Sequence, residues 1–287
     1  MSNESISIVL PSKNEARNLE ILLPKLASLG GINEIVVVDD SSSDNTEQIC
    51  KKYDNIRIIK HLYSKGNGAA IKTGTSSVDS EVIIFMDADG QHKPEYISKL
   101  IEKYRQGYAM VVGARDTASQ SSLGRLVANS VYNKLASWMV GQNIEDLTSG
   151  FRIVNAKKFK EFLHLLPNGF SYPTTSTMAF FRAGYSVGYI PIENDKRLGR
   201  SHIDIVKDGA RFLLIIFKIG TLYSPLKLFV PISVSFWTLG AGYYLYTLFT
   251  EGRFTNMSAL LFSTSVITFL IGLVSEQITT LLYSRNS

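Results

Sequence analysis

Val82-Ile83-Ile84-Phe85-Met86-Asp87-Ala88-Asp89-Gly90-Gln91 passes in one short stretch from an unbroken apolar run to a cluster of oxygen-bearing side chains. A strand that is apolar at every position is buried on both faces, as in a parallel sheet covered by helices. The pattern recurs on either side of Val82–Asp87. Ile6–Leu10, Glu34–Asp39, Ile56–Lys60 and Ala109–Gly113 read as further strands. Helix-like stretches fall between them: Ala16–Leu29, a segment capped by Asp44 and running through Tyr53, Ala69–Thr75, and one from Pro94 through Arg105. Strand and helix in alternation predict an α/β domain built on a parallel sheet. No internal repeat or low-complexity linker interrupts it.

In such sheets ligands bind beyond the carboxyl ends of the strands. The polar clusters of this sequence lie at those ends: Pro11-Ser12-Lys13-Asn14-Glu15, Asp39-Asp40, Asp87 to Gln91, and Gly113-Ala114-Arg115. Four clusters on one edge predict a site rather than four solvated loops. Gly66-Asn67-Gly68-Ala69-Ala70-Ile71 fails the dinucleotide fingerprint, because Ile71 stands where a third small residue belongs and the first strand lies elsewhere. There is no Walker A sequence and no Gly-x-Ser-x-Gly elbow, and His61, His92, His164 and His202 lack zinc spacing. Hydride transfer, P-loop chemistry and hydrolase triads therefore lose support. Asp87, Asp89 and Gln91 offer hard oxygen ligands, suited to Mg²⁺ or Mn²⁺. Open positions on such an ion can take a diphosphate and stabilise it as a leaving group. The bland alternative is a polar loop capping the helix that begins at Pro94.

Of 287 residues, 45% are hydrophobic and 19% charged, below the roughly 25% charged of an ordinary soluble domain. The lone Cys50 cannot form an internal disulfide and suits a reducing compartment. The net charge of +5 arises between Lys196 and Lys227, where seven basic residues face Asp204 and Asp208. Concentrated positive charge can serve a nucleic acid, but two apolar runs beside it argue for an anionic membrane surface and no nucleic acid. Leu228 to Thr250 is uncharged for 23 residues and Phe254 to Ser275 for 22. Either run can cross a hydrocarbon core about 30 Å thick, and only Glu251, Gly252 and Arg253 separate them. A tight transmembrane hairpin is expected. Ile203–Ile219 carries apolar residues at helical spacing opposite basic ones, predicting an amphipathic helix at the interface. Lys218, Lys227 and Arg285 flank the hairpin, so the positive-inside rule places both termini in the cytoplasm. Met1–Glu15 lacks a basic start before a long apolar stretch, so no secretory leader is expected.

Taken together the sequence resembles a family 2 glycosyltransferase, in the branch of dolichyl-phosphate mannose synthases and bacterial polyprenyl-phosphate sugar transferases. The resemblance rests on Leu10-Pro11 with Asn14-Glu15, Val38-Asp39-Asp40-Ser41, Asp87 to His92 with Pro94-Glu95, and Gly113-Ala114-Arg115. It continues through Thr148-Ser149-Gly150-Phe151-Arg152 and Arg197 to His202, and ends in the hairpin. It implies a GT-A fold, Rossmann-like with a mostly parallel sheet, as a cytosolic catalytic domain over 1–202. An amphipathic segment over 203–226 and a hairpin over 227–287 complete the chain, with spans at about 228–250 and 254–275. The implied localisation is an integral membrane protein of the cell membrane, or of the endoplasmic reticulum in a eukaryote. The donor would be a nucleotide sugar, with UDP-hexose and GDP-mannose both open, and the acceptor a polyprenyl phosphate among membrane lipids. Pro11, Glu15 and Asp39 match nucleoside-holding positions, with Asp40 and Asp87 beside them. Asp89 and Gln91 match metal ligands, with Asp87 adjacent, and the implied cofactor is Mg²⁺ or Mn²⁺. Arg115, Arg125 and Arg197 match positions that gather the acceptor phosphate and donor diphosphate, and with Asp89 they form the expected catalytic set. Gly90 stands where many members have Leu, and His202 where Lys is common. Whether the chain forms a homo-oligomer stays open.

The chemistry supports this reading independently. A hydroxyl acceptor needs a general base, whereas a phosphate monoester is already anionic at neutral pH. What it needs is positive charge for positioning, which Arg supplies through bidentate contacts. Direct displacement at the anomeric carbon would invert it. Glu145-Asp146 is the obvious base candidate in the second half of the domain, and Asp146 reads as structural or as orienting an Arg. Two alternatives remain. A polysaccharide-extending synthase would use Asp146 as a base, but the Gln-x-x-Arg-Trp signature is absent and two spans give little material for a pore. A non-catalytic nucleotide-binding membrane scaffold is opposed by intact Asp89, Gln91 and Arg115.

Overall fold

The structure is a computed structural model that describes residues 4–115, 123–169, 172–193, 217 and 220–284, with the side chains of 123–129 and 283–284 outside the description. The chain divides into two compact units, Met1–Trp138 with Gln142–Ser201, and Met139–Gly141 with His202–Ser287. The amphipathic stretch expected over Ile203–Ile219 lies, apart from Phe217, outside the described residues.

In the first unit the strands are β1 (Ile6–Ser12), β2 (Glu34–Asp39), β3 (Ile56–Lys60), β4 (Val82–Phe85), β5 (Met110–Arg115), β6 (Arg152–Asn155) and β7 (Val187–Ile192). They form one sheet in the order β3-β2-β1-β4-β6-β5-β7. The pairings are parallel except at β6, which runs antiparallel to both β4 and β5. The inner strands are apolar because they are covered on both sides: Ile8, Val9, Leu10, Ile83, Ile84 and Phe85 are wholly buried. On one face lies α1 (Ala16–Ala27), whose Leu19, Leu22, Leu23 and Leu26 repeat at helical spacing and are all buried. Each such side chain contributes roughly 1.5–3 kcal/mol by leaving water. With it on this face is α4 (Tyr96–Tyr104), which buries Ile97 and Leu100.

The helix α3 (Asn67–Ser77) packs on β1 and β2 through small residues. A Cβ on Gly74 would sit 2.3 Å from Val9 Cγ1, so glycine is what lets the helix lie this close. The helix expected from Asp44 through Tyr53 is shorter, α2 (Thr46–Cys50). Asp44 nonetheless ties two helix starts together: its Oδ1 accepts from Thr46 N and Oγ1, and its Oδ2 accepts from Ala16 N. The remaining helices of this unit are α5 (Leu123–Val140, ending across the boundary), α6 (Ala156–Lys160) and α7 (Tyr172–Arg182).

Strand β6 carries a wholly buried arginine. Arg152 Nη1 donates to Pro173 O at 3.0 Å, Ser176 Oγ at 2.9 Å and Thr177 Oγ1 at 3.0 Å, and Nη2 donates to Ser149 O. The guanidinium also lies 5.8 Å from the Tyr172 ring centroid. These acceptors are all neutral, and burial lowers the Arg152 pKa. The cation thus fastens the start of α7 to the 149–152 segment.

The second unit contains α8 (Pro225–Glu251) and α9 (Asn256–Ser284), both long and apolar enough to cross a membrane. Of their most apolar stretches 11% and 17% of residues are buried, the reverse of a soluble core helix. Gly252, at φ 65°, closes α8 by donating its N–H to Leu248 O. The helices are joined by polar contacts as well as packing: Ser233 Oγ donates to Ser265 O and Ser265 Oγ to Ser233 O, each at 2.9 Å. Both helices outrun the uncharged stretches of sequence, because hydrogen bonding within a helix continues past the apolar run.

Replacing Arg152 with Met should destabilise the first unit by about 3 kcal/mol or more, since several buried acceptors lose their donor at roughly 1–3 kcal/mol each. Arg152→Lys should recover only part, because one ammonium cannot span the same partners. Thermal melting of the full chain in detergent measures both, and wild-type melting of Arg152→Met would refute the clamp.

Candidate active site

The carboxyl ends of β1, β2 and β4 open onto a cavity of about 500 Å³, lined among others by Pro11, Glu15, Asp40, Asp87 and Asp89. These five sequence-predicted residues therefore share one wall. Asp39 ends β2 and is buried; its Oδ1 accepts from Ser42 N at 2.8 Å. Its Oδ2, like Ser12 Oγ beside it in register on β1, has no hydrogen-bond partner among the described residues. Such orphaned acceptors are rare and need an explanation, often a ligand.

Asp40 is committed to the protein. Its carboxylate accepts from His61 Nδ1, Ser64 Oγ and Lys65 N at 2.7 Å and from Gly66 N at 2.9 Å. Burial alone would raise its pKa, but these hydrogen bonds outweigh burial and hold the carboxyl well below the usual carboxylate range. Its task is to hold the loop from His61 to Gly66 against the cavity.

The metal-candidate loop follows β4. Asp89 Oδ1 accepts from Gln91 N at 3.1 Å, and Asp87 N donates to His92 Nδ1 at 3.3 Å. His92 is buried and stacked on Phe151 with centroids 5.0 Å apart; burial pushes its pKa down to about 4, so the imidazole is neutral. A Cβ on Gly150 would approach Asp87 Oδ2 to 2.6 Å, so Gly150 makes room for that carboxylate. Among the described residues no three His, Cys, Asp or Glu side chains gather as a complete metal cage. Two carboxylates on an open cavity wall nonetheless fit Mg²⁺ or Mn²⁺, which commonly take one or two carboxylates and fill the rest with phosphate and water.

Arg115 ends β5, and its guanidinium grips Asp146: Nε to Oδ2 at 2.8 Å and Nη2 to Oδ1 at 3.0 Å, with a further bond from Nη2 to Thr148 Oγ1. Asp146 also accepts from Arg115 N, Thr148 N and Ser149 N, which folds the turn before Gly150. Burial would raise the Asp146 pKa and lower that of Arg115, but their mutual hydrogen bonds and charge win, so the acid is held below and the guanidinium above their ordinary values. Arg125 stands in the first turn of α5 and its side chain is outside the description; Arg197 lies outside the described residues. Sequence reasoning quoted two residues here without giving either a role. Asn67 borders the main cavity, and Arg152 stiffens the segment behind it. The glycines flanking Asn67 were the available signal.

An open α/β sheet with a single reversed strand and an acidic loop beyond its fourth strand is a GT-A fold. The solved structure of glucosyl-3-phosphoglycerate synthase from Mycobacterium tuberculosis, in complex with Mn²⁺ and UDP-glucose, shares it with TM-score 0.60 at 19% identity, covering 76% of this chain and 78% of that one. The sequence pattern of Glycosyl transferase family 2 matches residues 7–163, and that of the GtrB C-terminal hairpin matches 224–281. The chain belongs to glycosyl transferase family 2. It is 35% identical over 181 residues to a dolichol-phosphate mannosyltransferase of Pyrococcus furiosus, covering 58% of this chain and half of that protein's length. It is 25% identical over 228 residues to a polyprenol monophosphomannose synthase of Mycolicibacterium smegmatis, covering 74% of this chain and 84% of that one.

Asp40→Asn should loosen the His61–Gly66 loop, costing roughly 1–3 kcal/mol at pH 7 as one bonded carboxylate oxygen becomes a donor. Because the folded pKa is depressed, the wild-type advantage is fully present above the unfolded pKa of about 4 and declines as pH falls below it. The gap between the two melting temperatures should narrow progressively as pH falls from 5 toward 2, because the advantage is lost only as pH passes down toward the depressed folded pKa, and a gap as wide at pH 2 as at pH 7 would contradict the assignment.

Proposed function

We propose that this chain is a membrane-anchored sugar transferase that moves a hexosyl group from a nucleotide sugar to a polyprenyl phosphate. The observation that carries the choice of acceptor is the Arg115–Asp146 pair. Asp146 is the carboxylate that a hydroxyl acceptor would need as a base, and its oxygens are occupied by Arg115 and three backbone N–H groups. A lipid phosphate needs no base, being anionic at neutral pH. Its oxygen attacks the anomeric carbon from the side opposite the leaving group. The new oxygen–carbon bond forms as the bond to the nucleoside diphosphate breaks, and the electron pair leaves with the diphosphate. The anomeric centre inverts and no proton moves.

Pro11, Glu15 and Asp39 hold the nucleoside in this reading, and the orphaned Asp39 Oδ2 suits an N–H of the base. Asp87 and Asp89, with Gln91 adjacent, would hold Mg²⁺ or Mn²⁺, which neutralises charge building on the leaving diphosphate when bound. Arg115, with Arg125 and Arg197, gathers phosphate charge, and Asp146 fixes the Arg115 fork. The names of the Pyrococcus and Mycolicibacterium relatives support the lipid-phosphate acceptor. The domain over 1–202 and both termini are assigned to the cytoplasm, with 203–226 at the interface and 227–287 in the membrane.

Purified full-length protein should transfer sugar from one of a panel of UDP- and GDP-sugars to a short polyprenyl phosphate. Chelation should stop transfer, Mg²⁺ or Mn²⁺ should restore it, and Asp89→Asn should lower it on the order of 10²-fold or more. Arg115→Lys should lose at least about tenfold in transfer, with donor affinity nearly unchanged, because a single ammonium cannot hold Asp146 and Thr148 and still meet a phosphate. Transfer to a sugar hydroxyl in place of the lipid phosphate would overturn the acceptor assignment.

Topology has its own test. A cysteine at Arg253, in the exposed turn between α8 and α9, should react with an impermeant maleimide from the side opposite to one at Leu62, which is 98% exposed. Burial raises the native Cys50 thiol to about 11, so it should contribute little background. Labelling of both sites from one side would refute the hairpin topology.

A further inference from the structure

Gly66-Asn67-Gly68, which fitted no nucleotide fingerprint, stands where two cavities meet. Asn67 and Asp87 line the larger cavity of about 500 Å³. Both also line a second one of about 120 Å³, together with Thr148, Gly150, Tyr172 and Thr174. The smaller cavity has roughly a quarter of the larger one's volume, on the scale of a single sugar ring. It is too small for a nucleoside diphosphate.

The walls of the small cavity are fixed. Tyr172 Oη donates to Gly150 O at 3.1 Å, and Tyr132 Oη donates to Thr174 Oγ1 at 3.2 Å. Thr148 Oγ1 accepts from Arg115 and donates to Asp146. Asn67 differs: its side chain is exposed and makes no hydrogen bond among the described residues, while its backbone is clamped from both sides. Asp40 holds Lys65 N and Gly66 N. On the other side Gly68 N donates to Gly169 O at 3.2 Å and Ala69 N to Asn168 O at 2.9 Å. The contact is close enough to demand glycine: a Cβ would lie 2.6 Å from Asn168 O at Gly66, whose φ is 99°, and 2.0 Å from Pro167 O at Gly68. A carboxamide with both donor and acceptor capacity is thereby presented, on a rigid backbone, at the junction of the two cavities.

We infer that the smaller cavity takes the sugar ring of the donor and that Asn67 is the side chain that discriminates one sugar from another. This rests on the reading of the chain as a nucleotide-sugar transferase, and it adds a residue and a subsite to it. The nucleoside and diphosphate occupy the larger cavity, and the sugar lies beyond Asp87. There the Asn67 amide bonds a ring hydroxyl, while the other polar walls, already bonded within the protein, set shape.

The test is binding to the full-length protein in detergent, measured by calorimetry with UDP, GDP, UDP-glucose, UDP-galactose, UDP-N-acetylglucosamine and GDP-mannose. Wild type should prefer one sugar over others on the same nucleotide. Asn67→Ala should weaken the preferred nucleotide sugar about tenfold or more and shrink that preference to within about threefold, because a buried sugar hydroxyl loses its partner. Affinity for UDP or GDP alone should stay within about twofold, which also shows that the variant is folded. Asn67→Ser, which keeps a short polar group, should fall between the two. Unchanged preference in Asn67→Ala, or equal weakening of nucleoside diphosphate and nucleotide sugar, would overturn the inference. Lipid transfer is not read in this experiment, so a protein that passes here but moves no sugar to polyprenyl phosphate would sink the acceptor assignment and leave the subsite standing.

Discussion

A sheet covered on both faces has nowhere along its strands to keep a polar side chain, so polar chemistry must collect where the strands end. In this protein β1, β2 and β4 are apolar nearly throughout, and Ser12, Asp39-Asp40 and Asp87 stand at their carboxyl ends. The parallel register of β1 with β2 aligns Ser12 with Asp39. That alignment makes one cavity out of loops far apart in sequence. Small residues on α3 contribute by letting the helix sit close to β1.

The carboxylates gathered there stand in different surroundings. Asp40 takes four hydrogen bonds from the loop that follows β3, and Asp146 takes its hydrogen bonds from Arg115 at the end of β5 and from Thr148 and Ser149 in its own turn; both are held ionised. Asp87 and Asp89 line the open cavity, with Gly150 leaving space for the Asp87 carboxylate. Hydrogen-bonded loops thus stand near two half-buried carboxylates that line the cavity. Arg152 supplies the matching rigidity from behind, gripping the neutral groups of α7.

The hairpin obeys another logic. Where lipid replaces water, helices gain little from hiding apolar side chains from each other, and close packing with a few polar contacts joins them instead. Gly240 lies against Leu261 and Phe262, Gly272 against Phe229, and Ser233 and Ser265 exchange hydrogen bonds. Most of the large residues that face outward are Leu, Ile, Val, Phe and Trp, with Tyr243, Tyr246 and Met257 among them, as a hydrocarbon surrounding favours.

The sequence alone determined the alternation of strand and helix, the edge on which the site lies, and the two apolar helices, because each is written in local periodicity or run length. It also singled out the clusters Pro11 to Glu15 and Asp87 to Gln91, since each follows an apolar run, while the roles of the individual residues came from the family resemblance. Tertiary structure decided the rest. The reversal of β6 depends on its pairing with β4 and β5, and its four residues carry no signal of direction. That Asp40 holds a loop, that Asp146 is spent on Arg115, and that Asn67 stands between two cavities all arise from contacts between segments distant in the chain. Local patterns fix what a residue can do; which partner reaches it is decided only when the sheet brings distant loops to the same edge.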